Sequence, residues 1–140
     1  MNGKRVLLGG FVAGVFVNVS EAILNAGILM DDYTAMGEAH GLTEASWAMT
    51  GYILGAFIFA FAIAWIYAAI RPRFGPGPGT AAMAGLVVWI VGSGVPTIWF
   101  LAMGLTVGAG ATTLAVVWSL VEMVVAGLIA GWLYVETSDA

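Results

Sequence analysis

Two kinds of side chain are scarce in this chain, which has no cysteine and one histidine, His40. Without cysteine there can be no disulfide, thiolate metal site or cysteine nucleophile. A single histidine cannot form a multi-histidine metal or haem site within one chain. The HExxH motif of zinc proteases and the motif sets of kinases and serine hydrolases are missing as well. We therefore expect no enzyme, no metal centre and no cofactor.

Charged residues are also scarce. They make up 9% of the chain, whereas a soluble domain usually carries about 25%. Hydrophobic residues make up 61% and the mean hydropathy is +1.01. The four basic residues form no patch that could hold a nucleic acid. The composition predicts a polytopic helical membrane protein in a lipid bilayer, with residues 1–140 forming a single transmembrane domain.

Four long apolar runs predict an all-α bundle of four transmembrane helices, with spans at about 6–30, 47–70, 81–103 and 111–134. Each run has at least the ~20 residues that a helix needs to cross a bilayer core of ~30 Å. The first run follows the basic start MNGKR, and its twenty-five residues are too many for the apolar part of a cleaved signal peptide. We therefore expect a retained signal-anchor helix.

Proline and glycine are concentrated at two places. The connection from Arg71 to Thr80 reads RPRFGPGPGT, with three prolines and three glycines, so we expect the chain to leave its helix there in a stiff, tight turn. In the third span, Pro96 follows the small residues Gly92, Ser93 and Gly94. This sequence predicts either a kink or a short break with partly unwound backbone.

The basic residues orient the spans, because four spans place all of them on one side of the membrane. They are Lys4, Arg5, Arg71 and Arg73. By the positive-inside rule we expect a bacterial inner-membrane protein with both termini in the cytoplasm. The acidic loop 31–46, with His40 as a solvated residue, then lies outside or in the periplasm. The two loop arginines can also bind lipid headgroups or pair with Glu136 and Asp139.

Polar and small residues follow one face in each of two spans. The first span carries them at spacings of 4, 4, 3 and 4, at Gly10, Gly14, Asn18, Glu21 and Asn25. The fourth span repeats this at spacings of 3, 4, 3 and 4, at Thr112, Ala115, Ser119, Glu122 and Ala126. Such faces avoid lipid, so we expect the first and fourth spans to pack together through them.

Glu21 and Glu122 are intramembrane acids at similar depths, and two interpretations of them are open. They can form a proton-, cation- or ligand-binding site, to which Asn18, Asn25, Ser119 and Trp118 would contribute. Alternatively each is a packing device, with Glu21 bonded to Asn18 or Asn25 and Glu122 bonded to Ser119 or Thr112. Trp118, one turn before Glu122, would either cover a cavity, bind a cation through its ring, or simply pack.

The stretch from Tyr67 to Pro78, YAAIRPRFGPGP, resembles the loop of a family of small, uncharacterised bacterial four-span membrane proteins. Its members also carry an Asn-x-x-Glu in the first span, here Asn18 and Glu21, and a Trp-x-x-x-Glu in the last, here Trp118 and Glu122. This chain has Gly79 where Lys is common in the family. The resemblance implies the four-span layout and assigns no activity.

Two functions from different classes are consistent with these features. The first is an accessory or structural membrane subunit, or a homo-oligomer, in which Glu21 and Glu122 bond helices together. The alternative is a small proton- or cation-coupled transporter with the two acids as its coupling site. Four short helices enclose little volume, so we expect a homo-oligomer or a larger membrane complex as partner in either case.

Overall fold

The fold is all-helical in a computed structural model that describes residues 1–136. Four of its helices are long and apolar enough to cross a membrane, which confirms the predicted four-helix transmembrane bundle. The spans run over Gly3–Ile28, Ala48–Phe74, Pro78–Ala102 and Ala109–Leu133, and are numbered 1 to 4 below. Their ends differ by up to four residues from the predicted ones, because helices continue past the apolar core into the interface.

Spans 1 and 3 each contain a π-helical stretch, whereas spans 2 and 4 are α-helical throughout. In span 1, α1 (Gly3–Glu21) is followed by a π-helix over Ala22–Ile28. In span 3, α4 (Pro78–Trp89) and α5 (Val95–Ala102) flank a π-helix over Ile90–Gly94. Each wide turn lies on the side of the membrane away from the termini.

The break that was one of the two expectations at Pro96 does not occur, because a π-helical stretch carries the helix through this segment. Pro96 lies in the first turn of α5 and has no N–H to donate. The wider turns before it let the Val95 N–H donate to the Ile90 carbonyl, five residues back. The hydrogen-bonded backbone therefore continues through the segment without unwinding.

The connections are more helical than the sequence indicated. The third helix, α3, runs over Ala48–Phe74 and includes Pro72, so the predicted departure at Arg71 is wrong. Pro72 lies in the last turn, where its missing N–H costs only one backbone bond. The turn is short, and Gly75 and Gly77 adopt positive φ angles of 82° and 137° that permit it.

The outer connection between spans 1 and 2 also contains a helix. This helix, α2, covers Met30–His40 and ends at Gly41, whose φ of 63° gives a left-handed cap. Residues 30–40 therefore form a surface helix, and the remaining loop reaches α3 at Ala48. Asp31 and Asp32 lie in the first turn of α2, where negative charge is favourable.

Span 1 packs against spans 2 and 4, span 3 packs mainly against span 4, and span 2 lies against both span 3 and span 4. Spans 3 and 4 approach most closely at two glycines. A Cβ on Gly85 would overlap the Met123 carbonyl, and one on Gly127 would overlap the Ala81 carbonyl. Alanine is the commonest residue of the buried core between the spans, which also contains valines, Ile63, Met123, Tyr67 and Tyr134.

Both ends of the described chain and the Arg71 loop meet at one end of the bundle. The Arg71 guanidinium lies 3.3 Å from the Glu136 carboxylate and 5.6 Å from the ring centroid of Tyr134. The Asn2 side-chain amide donates to the Val135 carbonyl at 3.1 Å. The expected Arg71–Glu136 pair is thus present, whereas Asp139 lies outside the described residues. We call this the basic end.

Candidate functional site

Packing of span 1 against span 4, expected from their polar faces, brings the two intramembrane acids together. Glu21 is the last residue of α1, immediately before the π-helix, and Glu122 lies near the middle of α6 (Ala109–Leu133). The Glu122 carboxyl lies beside the Glu21 carboxyl and the Ser20 hydroxyl, close enough to interact electrostatically with both. We refer to Glu21 and Glu122 as the carboxyl pair.

Glu122 is buried without a hydrogen-bonding partner. Its exposed fraction is 2%, and among residues 1–136 neither carboxylate oxygen has a partner in hydrogen-bond geometry. The partners expected from the sequence were wrong, because both bond elsewhere. Ser119 accepts from Trp89 Nε1 at 3.0 Å and donates to the Val116 carbonyl, and Thr112 Oγ1 lies 3.3 Å from Thr106 Oγ1. A polar group left unsatisfied in a membrane interior is costly.

Glu21 is half-buried and has a partner on its own helix. The Asn25 side-chain amide donates to a Glu21 carboxylate oxygen and also to the Glu21 backbone carbonyl. Asn18 is not part of this site. Its amide donates to the Gly14 carbonyl at 2.8 Å and to the Ile53 carbonyl at 3.4 Å. Asn25 is therefore the carboxamide that hydrogen-bonds to Glu21 of the carboxyl pair, whereas Asn18 joins span 1 to span 2.

Two tryptophans inside the bundle link helices through equivalent hydrogen bonds. Trp118 Nε1 donates to Ser20 Oγ at 2.9 Å, joining span 4 to span 1. Trp89 Nε1 donates to Ser119 Oγ, joining span 3 to span 4. Ser119 therefore lies in the interface with span 3. Ser20 escaped the sequence analysis because it lies outside the spacing of three and four that defines the polar face of span 1.

A groove of about 470 Å³, the lateral groove, lies between spans 1 and 4. Its walls are almost wholly apolar, and Ser20, Trp118 and Glu122 are the polar members of its lining. Val19 and Val121 on its walls are 56% and 57% exposed, so the groove opens at the side of the bundle. Because Glu122 lies near the middle of span 4, this opening faces the membrane interior.

A second cavity, of about 350 Å³, lies towards the end opposite the basic end. Most of its lining is apolar, and we call it the polar cavity after the eight polar residues among the nineteen that line it, which are Glu21, Asn25, Tyr33, Ser93, Thr97, Thr106, Thr112 and Ser119. Burial, with the nearby charges of Glu21 and Asp32, raises the pKa of the Tyr33 hydroxyl on surface helix α2. Glu21 thus contacts the polar cavity and Glu122 contacts the lateral groove, so the carboxyl pair lies between the two.

Within the described residues there is no group of three or more His, Cys, Asp or Glu side chains that could hold a metal ion. His40 is exposed at the end of α2, where its Nδ1 lies 2.9 Å from the Met36 carbonyl. The basic end also holds Lys4, Arg5 and Arg73, which lie on helix ends far from the carboxyl pair along their helices.

Comparison with known proteins supplies no precedent for this site: no family model, curated protein or solved structure matches the chain. What the site can do follows from its chemistry. A buried carboxyl without a partner, beside a second carboxyl that reaches a polar cavity, can bind and release a proton.

Proposed function

We propose that the protein is a small proton-coupled membrane transporter in which the Glu21–Glu122 pair is the proton-binding site. One observation carries this proposal: Glu122 is 2% exposed, makes no hydrogen bond within the described chain, and lies beside another acid. A packing device would be expected to have a partner on a neighbouring helix. The Glu122 carboxyl is instead able to exchange a proton or to bind a ligand.

The pair retains a proton because charging both acids is unfavourable. Two adjacent carboxylates repel each other strongly where the surroundings are apolar. The neighbouring cations are too far away to compensate, since Glu122 lies twelve residues before Tyr134, or ~18 Å along the helix, and Arg71 sits at Tyr134. A proton or a bound ligand is therefore the available counter-charge.

Proton exchange would run through the polar cavity. Glu21 contributes to the lining of that cavity, and Asn25 holds its carboxylate by a hydrogen bond. Protons would pass from the cavity to Glu21 and then to Glu122. We place the basic end in the cytoplasm of a bacterial cell and the polar cavity at the external face of the inner membrane, by the positive-inside rule.

The test is infrared difference spectroscopy of the purified protein in lipid, recorded across a pH titration. We expect a protonated-carboxyl band that Glu122→Gln removes and that Glu21→Gln shifts to a different pH. Glu44→Gln is the matched control, because Glu44 accepts a bond from Tyr52 at the outer surface and should leave that band unchanged. A band that survives in Glu122→Gln, or the lack of any pH-dependent band in the unsubstituted protein, would overturn the proposal.

An accessory or homo-oligomeric role is the second candidate, favoured by the apolar faces that the spans leave exposed. Trp132 is 84% exposed and Val91 is 70% exposed, for example. Under this hypothesis a second copy or a host complex covers those faces, and the acids hold helices together. Glu122→Gln should then change oligomer size in native mass spectrometry, whereas a transporter should keep its assembly and lose only its proton coupling.

A further inference from the structure

We propose that the lateral groove is a binding site for a lipophilic organic cation, which reaches it from the bilayer and takes Glu122 as its counter-ion. This inference rests on the proposed proton-binding function and adds the class of substrate. The ligand in question has an apolar body and a single positive charge on nitrogen or phosphorus. It would replace the proton on the carboxyl pair.

The shape and chemistry of the groove select an apolar body. Its volume is about 470 Å³ and its walls are aliphatic and aromatic apart from Ser20, Trp118 and Glu122. Ligand sites of this type are typically ~300–1,000 Å³, mostly apolar, with few polar groups that fix orientation. The groove also opens at the middle of the bundle, where lipid-soluble molecules reside and hydrated ones do not.

The charge of the ligand is set by Glu122. Glu122 contributes to the groove lining and is 2% exposed, and its buried carboxylate oxygens have no hydrogen-bonding partner in the described part of the chain. An anionic or neutral ligand would leave it uncompensated, whereas a cation would satisfy it in surroundings where charge pairing is strong. The Trp118 indole lines the same groove, and aromatic rings attract organic cations.

A bare metal ion fits the groove poorly. Mg²⁺ and Ca²⁺ take about six or more oxygen ligands, and the groove offers the Glu122 carboxyl and the Ser20 hydroxyl. That hydroxyl already accepts the indole N–H of Trp118. An organic cation needs only one carboxylate, because its own apolar groups shield the charge.

Binding and protonation would exclude each other at Glu122. The protonated acid is neutral and leaves the cation without a counter-ion, so arrival of the cation requires loss of the proton. The proton would move to Glu21 and from there into the polar cavity, which Glu21 contacts. The cation supplies the positive charge that the proton supplied before, so the carboxyl pair holds either the proton or the cation. One cation bound then means one proton released, and binding should weaken as the pH falls.

The probe is tetraphenylphosphonium, measured by equilibrium dialysis against the purified full-length protein in lipid nanodiscs, with proton release followed by a pH indicator. We expect one site that releases a proton on binding and binds at least ~30-fold more weakly in Glu122→Gln. Val117→Trp, which fills the groove, should also lose binding. Leu128→Trp, on the same helix but outside the groove lining, should not.

Tetraphenylborate, an anion of the same size, separates charge recognition from partition into an apolar space. Equal binding of the two ions, or tetraphenylphosphonium binding retained in Glu122→Gln, would overturn the inference. A dimer whose second copy closes the groove would also overturn the inference. Such a dimer would protect the thiol introduced by Val117→Cys from labelling. If no cation binds but the carboxyl band still titrates, this inference fails while the proposed function stands; loss of the band defeats both.

Discussion

Span 4 has two interfaces of opposite character. Towards span 3 it is tightly packed, with Gly85 and Gly127 each lying against a carbonyl of the facing helix. Towards span 1 it meets the Gly9 backbone at Ala130, but further from the basic end its Glu122 faces Ser20 of span 1 beside a groove of about 470 Å³. Span 4 thus combines a close backbone contact with an interface that leaves a groove beside a buried acid.

The difference shows how a small bundle can hold an unsatisfied acid. Close approach of small residues gives strong packing between helices in a membrane, where no hydrophobic force drives them together. The glycine-mediated contact of spans 3 and 4 fixes the position of span 4. Span 1 meets span 4 closely only towards the basic end, at Gly9 and Ala130, and the groove lies beside Glu122 further along the same interface.

The largest expected effect comes from breaking the tight interface. Gly85→Ala would place a Cβ against the Met123 carbonyl, and two backbones cannot separate there without displacing the whole helix. We expect a loss of about 3 kcal/mol or more in the free energy of unfolding, measured by denaturation with SDS in mixed micelles.

Gly55→Ala is the matched control for that experiment. A Cβ on Gly55, inside span 2, would meet nothing within 4 Å, and alanine is the better helix former by about 1 kcal/mol. This variant should be as stable as the unsubstituted protein or more so. Equal destabilisation by both variants would show that the close contact of spans 3 and 4 does not hold the bundle together.

The contrast between the interfaces was only partly accessible from sequence. The spans and the polar faces of spans 1 and 4 follow from local hydropathy and helical spacing, which the chain itself specifies. The neighbours of Glu122 depend on how the two helices rotate against each other. That rotation places Ser20 beside Glu122, whereas Ser119 accepts the indole N–H of Trp89. The spacing of residues within one helix cannot predict these neighbours.

Backbone details were predicted least well, and for a related reason. Pro72 indicates a helix end by its local chemistry, and α3 does end soon after it, at Phe74 rather than before Arg71. Pro96 predicts a kink or a short break. The break does not occur, and a π-helix over Ile90–Gly94 precedes the proline. Each outcome depends on which of several local hydrogen-bonding patterns the packed bundle accepts, and residue identity alone does not select it.

A matched pair of tryptophan substitutions compares the interfaces directly. Trp118→Phe and Trp89→Phe each remove one indole-to-hydroxyl bond, of 2.9 Å and 3.0 Å. Such bonds in membranes contribute about 1 kcal/mol, so both variants should lose a similar, modest amount of stability. Only Trp118→Phe should also change the pH at which the carboxyl band titrates, because it removes the indole N–H that positions the Ser20 hydroxyl beside Glu122.

The pH titration followed by infrared spectroscopy measures this difference, with the denaturation midpoint as the measure of stability. An equal change in titration for the two tryptophan variants would mean that the carboxyl pair responds to general loosening of the bundle. In that case the interface of spans 1 and 4 would not be a separate functional element.

The smallest expected effect lies at the basic end, remote from both interfaces. The amino terminus, the Tyr134 hydroxyl and Arg71 hold the pKa of Glu136 below its ordinary value of 4.5. A carboxyl with a lowered pKa stabilises the fold above its ordinary pKa, and that contribution is lost as the pH falls through the lowered value. Its side chain is 20% exposed, so solvent screening keeps the effect small.

Glu136→Gln should therefore be slightly less stable than the unsubstituted protein at neutral pH, and the two should converge as the pH falls below 4.5. Glu38→Gln, on surface helix α2 and away from the basic end, serves as the control for the general effect of removing a carboxylate. If the difference for Glu136→Gln stayed constant across the titration, the ion pair would not be its origin. If it grew on acidification, the folded protein would instead favour the protonated acid, and repulsion at the basic end would have to be considered.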